Sequence, residues 1–385
     1  MNFVVAPDSF KGSLRAAQAA EAITQGILAV QPEAQIASLP LADGGEGTAE
    51  ALVIATRGRL EEVGVTGPLG EPVRALLGLL GDDVTAVVEC AQACGLPLVP
   101  PERRNPLLAT TRGVGELMLA ALDAGCTRLI VGLGGSATND GGAGMAQALG
   151  ARLLDARGDE LSPGAAHLPE LDRVDVSRLD ARLAEVTVWA ASDVTNPLCG
   201  PTGASAVYGP QKGASPEMVE MLDRALSHYA EVIARDLDLD VRHLTGAGAA
   251  GGLGAGLLAF CHATVRSGAS LVLEMFAFED LLEAADVVFT GEGRIDSQVA
   301  YGKAVGTVAL LAQKHGVPVI AFAGSVQVEP ELLLEQGLLA AVPILPGPMA
   351  EAQAMAQASG LLQAAVERTV RILQVGESIA RRWGG

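Results

Sequence analysis

Short apolar runs alternate with helix-like segments at both ends of the 385-residue chain, and this alternation constrains the fold more than any other feature. At the N-terminus, an apolar run at 2–6 precedes a helical segment at 14–30, and a second run follows at 35–39. The rhythm returns near the C-terminus, where strands are predicted at 286–290 and 317–323. A βαβα order of this kind is typical of a parallel sheet with helices between its strands.

The middle of the chain has a different pattern. From Arg59 to Val99, short runs are separated by turn signals such as GPLGEP and GDD, which predict hairpins. The length also suggests two domains, at roughly 150 residues per domain. We therefore predict an α/β protein with a discontinuous first domain, residues 1–58 plus 286–385, and an inserted mixed α/β domain at 59–285.

The net charge limits the classes of partner. The chain carries 26 Lys and Arg against 45 Asp and Glu, a formal charge of −19. Nucleic acid and anionic membrane surfaces are disfavoured, because both are bound by clustered basic residues. An anionic substrate must then be held locally by a few cations, by backbone N–H groups or through a metal. The five cysteines and the N-terminal MNFVVAPDS, which does not resemble a signal peptide, predict a reduced, cytoplasmic protein.

Six segments combine glycine with acidic, hydroxyl or lysine side chains: APDSFKGS (6–13), LADGGEGT (41–48), GLGGSATNDGGAG (132–144), SDVTNPLCGPTGASAVYGPQKGAS (192–215), GAGAAGGLG (246–254) and TGEGRIDSQVAYGKAVG (290–306). Several follow a predicted strand and precede a helix, which is where ligands bind in open α/β sheets. A helix N-terminus there offers free N–H groups to a phosphate. Such a set suits phosphoryl transfer, which depends on positioning and charge neutralisation.

Lysine is scarce, with four residues against 22 Arg. Three of the four, Lys11, Lys212 and Lys303, stand beside a glycine, which would let the backbone approach a ligand closely. This shared pattern favours a functional role for the three.

Three standard motifs nearly match. A Walker A loop would need glycine where Ser297 stands, and a nucleophile elbow would need glycine where Thr138 stands. Residues 132–137 do fit G-x-G-x-x-A, with Asp155 at the distance of a ribose-binding acid. The polar helix start and the short helix at 143–149 argue against a dinucleotide site. An NAD(P)-dependent oxidoreductase acting on a small hydroxy acid stays open, as does a non-catalytic binder of small carboxylates.

The six segments, in this order, resemble those of the bacterial glycerate kinase family, type 1. The signatures include APDSFKGSL, PLADGGEGT, GLGGSATNDGGAGM, NPLCGP…GPQKGA, GAGAAGGLG and TGEGRID, and the resemblance covers essentially the whole chain. It implies ATP-dependent phosphorylation of D-glycerate, at the 2-hydroxyl in bacterial members, with 3-kinase regiochemistry as the alternative. It also implies two α/β domains, one flavodoxin-like and built from both termini, with the active site in the cleft between them.

From this resemblance we predict ATP and Mg²⁺ as cofactors and D-glycerate as substrate. We expect a monomer or homodimer, and the acidic charge predicts no nucleic-acid or membrane partners. Asp193 is the first choice as metal ligand or base, and Asp296 and Glu292 are the next ligands. Lys11, Lys212 and Lys303 would bind the substrate carboxylate or the transferred phosphoryl group. The predicted catalytic residues are Asp193, Lys11, Lys303 and Asp296; the substrate-binding residues are Asp8, Ser9, Asp43, Glu46, Asn196 and Lys212; the phosphate-cradling residues are Gly134, Gly135, Ser136, Thr138 and Asn139.

Overall fold

The computed structural model describes residues 1–10, 12–41, 47–296 and 304–383. The strands are β1 (Asn2–Val5), β2 (Gln35–Ser38), β3 (Arg59–Thr66), β4 (Pro72–Leu79), β5 (Thr85–Glu89), β6 (Arg128–Gly132), β7 (Arg152–Leu154), β8 (Arg173–Asp175), β9 (Thr187–Ala191), β10 (Thr264–Arg266), β11 (Val287–Ile295), β12 (Val319–Val326) and β13 (Ala340–Pro343). The helices are α1 (Ala16–Leu28), α2 (Thr48–Thr56), α3 (Cys90–Cys94), α4 (Arg112–Asp123), α5 (Ala143–Ala148), α6 (Ala204–Tyr208), α7 (Pro216–Leu237), α8 (Ala249–Cys261), α9 (Gly268–Met275), α10 (Phe278–Leu282), α11 (Ala304–Lys314), α12 (Pro330–Glu335), α13 (Glu351–Ala356) and α14 (Ala358–Trp383).

The chain divides into two compact units. The first comprises Met1–Ala42 with Ala269–Gly385, and the second comprises Asp43–Gly268. Both junctions fall about 16 residues before the predicted domain boundaries at 59 and 285. At the first junction the physical reason is α2, which packs on β3, β4 and β5 of the second unit. At the second junction, α10 packs against α11 of the first unit.

The first unit contains a five-stranded parallel sheet in the order β13-β12-β11-β1-β2. Numbered within this unit alone, the order is 2-1-3-4-5, which is the flavodoxin-like arrangement. The prediction of such a sheet built from both termini is confirmed. Phe289 lies at its centre and makes edge contacts with Phe3 and Phe322, each with ring centroids 5.2 Å apart. The strand order reverses between β1 and β11, so ligands are expected at the carboxyl ends of those two strands.

The second unit contains a six-stranded sheet in the order β10-β9-β6-β5-β4-β3 and a small pair, β7-β8. The first four strands are parallel and the last two are antiparallel, which confirms the predicted mixed α/β insertion. One apolar core contains Leu129 and Val131 of β6, Leu117 of α4 and Leu226 of α7. Because β5, β6 and β9 run parallel side by side, the segments that follow them emerge at the same sheet edge.

Arg15 occupies the N-cap position of α1, and the nearby Ser13 hydroxyl donates to the Phe10 carbonyl at 2.9 Å. At the C-terminus, Gln357 separates α13 from α14. Within the described parts of the chain, no helix is long and apolar enough to cross a membrane.

Candidate active site

The glycine-rich loop after β6 is held by hydrogen bonds to other segments of the second unit. Only Gly134 and Gly135 keep solvent exposure in the stretch 134–139, and the residues from Ser136 onward are buried. The segment after α3 pairs with this loop, since the Ala137 N–H donates to the Cys94 carbonyl and the Leu96 N–H donates to the Gly135 carbonyl, both at 2.8 Å. The loop is therefore held by its buried half and exposes its glycine turn.

Lys212 lies on the buried side of this loop. It ends a short 3₁₀ turn after α6, is 3% exposed, and donates from Nζ to Ser136 Oγ at 3.0 Å and to the Thr138 carbonyl at 2.6 Å. The structure thus brings together three residues of the predicted site. It does not present Lys212 to solvent, which differs from the predicted contact with the substrate carboxylate. Burial lowers the pKa of Lys212 to about 8, against the nearby thiols of Cys90 and Cys94 and the carboxyl of Asp140, which favour its charged form.

The two hydroxyls predicted to cradle phosphates also point into the protein. Ser136 Oγ accepts from Lys212, and Thr138 Oγ1 lies 4.0 Å from Cys94 Sγ. Asn139 is buried as well, and its Nδ2 donates to Ser205 Oγ at 2.9 Å. In this conformation, the exposed turn Gly134–Gly135 is the part of the loop that a phosphate can reach.

Asp140 is a structural residue that the sequence analysis did not single out. Its buried carboxylate accepts from the Thr111 N–H at 2.9 Å and the Thr111 hydroxyl at 3.0 Å. It also accepts from the N–H groups of Gly142 at 3.2 Å and Gly144 at 3.3 Å. Burial raises the pKa of Asp140, and these hydrogen bonds oppose part of the rise. A carboxylate at helix N-termini is favourable, so Asp140 fixes the starts of α4 and α5 together.

The loop after β9 carries Asp193 and Asn196 at the same sheet edge as the glycine loop. Asp193 is half-buried. The side chain of Asn196 holds the loop's shape: its Nδ2 donates to the Thr202 carbonyl and its Oδ1 accepts from the Tyr208 hydroxyl, both at 2.8 Å. Of the two predicted site residues, Asn196 therefore has a clear local structural role, and Asp193 is placed where a strand-end carboxylate is expected.

The segment 246–254 supports the glycine loop from another side. The Gly141 N–H donates to the Gly251 carbonyl at 3.1 Å, and Gly251 and Gly252 have φ of +69° and +88°. A Cβ added to Gly251 would lie 2.0 Å from the Thr138 carbonyl oxygen. This glycine-rich segment leads into the buried helix α8, and glycine is required there by close backbone approach.

In the first unit, the remaining acidic candidates follow β1 or lie on β11. The Asp8 N–H donates to the Gly291 carbonyl at 2.8 Å, and Asp8 Oδ1 accepts from the Ser9 N–H. Glu292 lies on β11, where it is half-buried, and Asp296 follows that strand and pairs with Arg294 Nε at 3.3 Å. These positions flank the reversal of strand order, as expected for a ligand-binding edge.

Four predicted site residues, Lys11, Asp43, Glu46 and Lys303, lie outside the described residues. Next to one of these gaps, the buried Glu89 accepts from the Ala49 N–H at 2.7 Å, at the first turn of α2. The sequence analysis missed this contact. Its one sequence signal is an acid at the end of the otherwise apolar strand β5.

The fit to a dinucleotide site is poor. Asp155 follows β7, which pairs with β8 in the two-stranded sheet and is not a neighbour of β6. Its carboxylate accepts from the Arg157 and Asp159 N–H groups at 2.9 and 3.0 Å, so it closes a local turn. The neighbours of β6 are β5 and β9, and α5 has only six residues. The geometry does not support the oxidoreductase alternative.

The candidate metal ligands among the described residues are single carboxylates. The described residues contain no group of three or more His, Cys, Asp or Glu side chains arranged to hold an ion. Mg²⁺ is usually bound through one or two carboxylates plus substrate phosphates, so Asp193, Glu292 and Asp296 fit such a role individually.

Known proteins resemble the chain over nearly its full length. The sequence model of the "Glycerate kinase family" matches residues 3–374. A glycerate kinase of Bacillus subtilis is 51% identical over 381 residues, 99% of each chain, and the glycerate 2-kinase of Escherichia coli is 51% identical over 345 residues, 90% of this chain and 91% of the relative. A crystal structure from Salmonella typhimurium, described as a candidate glycerate kinase 2, superposes with a TM-score of 0.85 at 50% identity, covering 98% of this chain and 99% of that one. The chain therefore belongs to the glycerate kinase family.

Proposed function

We propose that the protein transfers the γ-phosphoryl group of ATP to the 2-hydroxyl of D-glycerate, giving 2-phosphoglycerate and ADP. The observation that carries this proposal is the 51% identity to a glycerate 2-kinase over 90% of the chain. Membership of the family supports the coarser statement that the enzyme is a kinase acting on the alcohol group of glycerate.

The exposed turn Gly134–Gly135 is our candidate for the nucleotide phosphates. It follows the parallel strand β6 and precedes a helix, where backbone N–H groups are available to anions. The buried half of the loop is already fixed by hydrogen bonds, so its turn is preorganised for binding. Preorganised donors stabilise developing charge without reorganisation during the reaction.

The carboxylates at strand ends supply the remaining chemistry. We assign Asp193 as the first candidate for accepting the proton of the attacking hydroxyl or for holding Mg²⁺, with Glu292 and Asp296 as further metal ligands. Mg²⁺, when bound, neutralises phosphate charge, which matters in a chain of net charge −19. Asp8, Ser9 and Asn196, together with Asp43 and Glu46, are proposed to orient the substrate. Lys11 and Lys303 are proposed to bind its carboxylate or the transferred group.

An ADP-release assay with ATP, Mg²⁺ and D-glycerate tests the proposal, with an enolase-coupled readout in parallel. ADP release with an immediate enolase signal is the expected result, since enolase consumes 2-phosphoglycerate. An enolase signal that requires added mutase would assign the 3-position instead. The absence of glycerate-dependent ADP would overturn the kinase proposal for this substrate.

A further inference from the structure

The ammonium group of Lys212 is directed at the glycine loop rather than at solvent. Both of its hydrogen-bond acceptors, Ser136 Oγ and the Thr138 carbonyl, belong to the buried half of that loop. The exposed turn Gly134–Gly135 immediately precedes them. A ligand that reaches Lys212 Nζ would have to displace the loop itself.

A second set of hydrogen bonds holds the loop in addition to those of Lys212. Cys90 Sγ donates to the Gly134 carbonyl at 3.2 Å, and the segment after α3 pairs with Gly135 and Ala137. The carbonyls of Gly134, Gly135 and Thr138 are thus all used inside the protein. Because a carbonyl and the N–H of the next residue share one peptide plane, the contacts of the Gly134 and Gly135 carbonyls fix the direction of the Gly135 and Ser136 N–H groups. The Gly135 N–H is the one that a phosphate at the exposed turn would meet.

The buried charge of Lys212 also affects how strongly the turn attracts an anion. The titratable groups that face it are Cys90 and Cys94 on α3 and Asp140 in the loop. Asp140 is turned toward Thr111, Gly142 and Gly144, which share its negative charge. A buried cation behind the turn attracts an anion in front of it more strongly than it would in water, because the intervening medium screens charge weakly.

We propose that Lys212 is a positioning residue for the nucleotide: it holds the Gly134–Gly135 turn, and its buried charge attracts the phosphates, without touching glycerate. This inference rests on the proposed function, because it takes the turn to be the nucleotide phosphate site. It replaces the substrate contact that the sequence suggested for this lysine.

The test compares Lys212→Met with Lys314→Met. Methionine keeps the length of the lysine side chain and removes its charge and donors. Lys314 is a matched control in the first unit, since it is 68% exposed and pairs with Glu279 of that same unit. For Lys212→Met we expect KM for ATP to rise at least about 10-fold, because the variant loses both the contacts that fix the turn and the buried positive charge, with KM for D-glycerate changing by less than about 3-fold. Lys314→Met should leave both KM values unchanged.

Two kinetic outcomes would overturn the inference. A rise in KM for D-glycerate with an unchanged KM for ATP would make Lys212 a substrate ligand. A fall in kcat alone, with both KM values unchanged, would reduce it to a structural residue.

Calorimetric ADP titration of the unmodified protein gives an independent test, which holds even if Lys212→Met does not fold. Burial lowers the pKa of Lys212 to about 8, so its charge is lost between about pH 7 and pH 10. We expect ADP affinity to fall over that interval, and a constant affinity would overturn the inference. Absent glycerate phosphorylation with intact, pH-dependent ADP binding would instead refute the proposed function alone.

Discussion

Replacing Gly251 by alanine should displace the backbone of the glycine loop at Thr138 and Asn139. Gly251 has φ of +69°, and an added Cβ would lie 2.0 Å from the Thr138 carbonyl oxygen and 2.8 Å from Asn139 Cα. Both neighbours are backbone atoms, so no side-chain rotation relieves the contact. The same carbonyl accepts from Lys212 Nζ, and its displacement would loosen that hydrogen bond.

The expected cost has two parts. A non-glycine residue in the left-handed region costs about 1–2 kcal/mol. Forcing a methyl group into a closely packed site costs a further ~1–3 kcal/mol. Together they predict a loss of about 2–5 kcal/mol in the free energy of unfolding, within a unit that also holds the predicted phosphate turn.

Urea denaturation followed by circular dichroism measures this loss, with Gly125→Ala as the matched control. Gly125 has φ of +85°, and nothing lies within 4 Å of a Cβ added there, so it reports the backbone cost alone. Gly251→Ala should be less stable than Gly125→Ala by about 1–3 kcal/mol, and it alone should weaken ADP binding. Equal stability of the two variants would refute the argument from the Thr138 contact.

Four further predictions concern other parts of the enzyme. Asp140→Ala should lower the free energy of unfolding by about 3 kcal/mol in urea denaturation, because it strands buried N–H groups at the starts of two helices; wild-type stability would contradict this. Asp193→Asn should cost at least ~100-fold in turnover with an unchanged circular dichroism spectrum, and near-normal turnover would remove Asp193 from the catalytic assignment. A chelator should abolish ADP release, with activity returning on addition of Mg²⁺ but not of Na⁺. Burial raises the pKa values of Cys199 and Cys261 to about 12; the thiolate of each is therefore scarce at pH 8, and both should react with a disulfide reagent far more slowly in native than in denatured protein.

The sequence predicts the sheets well because their signals are local and periodic. The apolar runs at 2–6, 286–290 and 317–323 overlap the observed strands β1, β11 and β12. The division between the units is harder, because it depends on where α2 packs. The Glu89 carboxylate meets the Ala49 N–H across 40 residues of sequence, and no local pattern reports such a contact.

The direction of side chains in the predicted site is harder still to read from sequence. Lysine, serine, threonine and aspartate in a glycine-rich loop have the composition of a ligand site whether they face the ligand or face inward. Lys212, Ser136 and Asp140 face inward, since a loop with many glycines has few side chains of its own to hold it and must be fixed by buried polar contacts. A motif of this type therefore contains two sets of residues, one that meets the ligand and one that shapes the loop. Substitutions in the second set should alter nucleotide affinity without any contact with the nucleotide, so loss of activity alone cannot identify a ligand contact here.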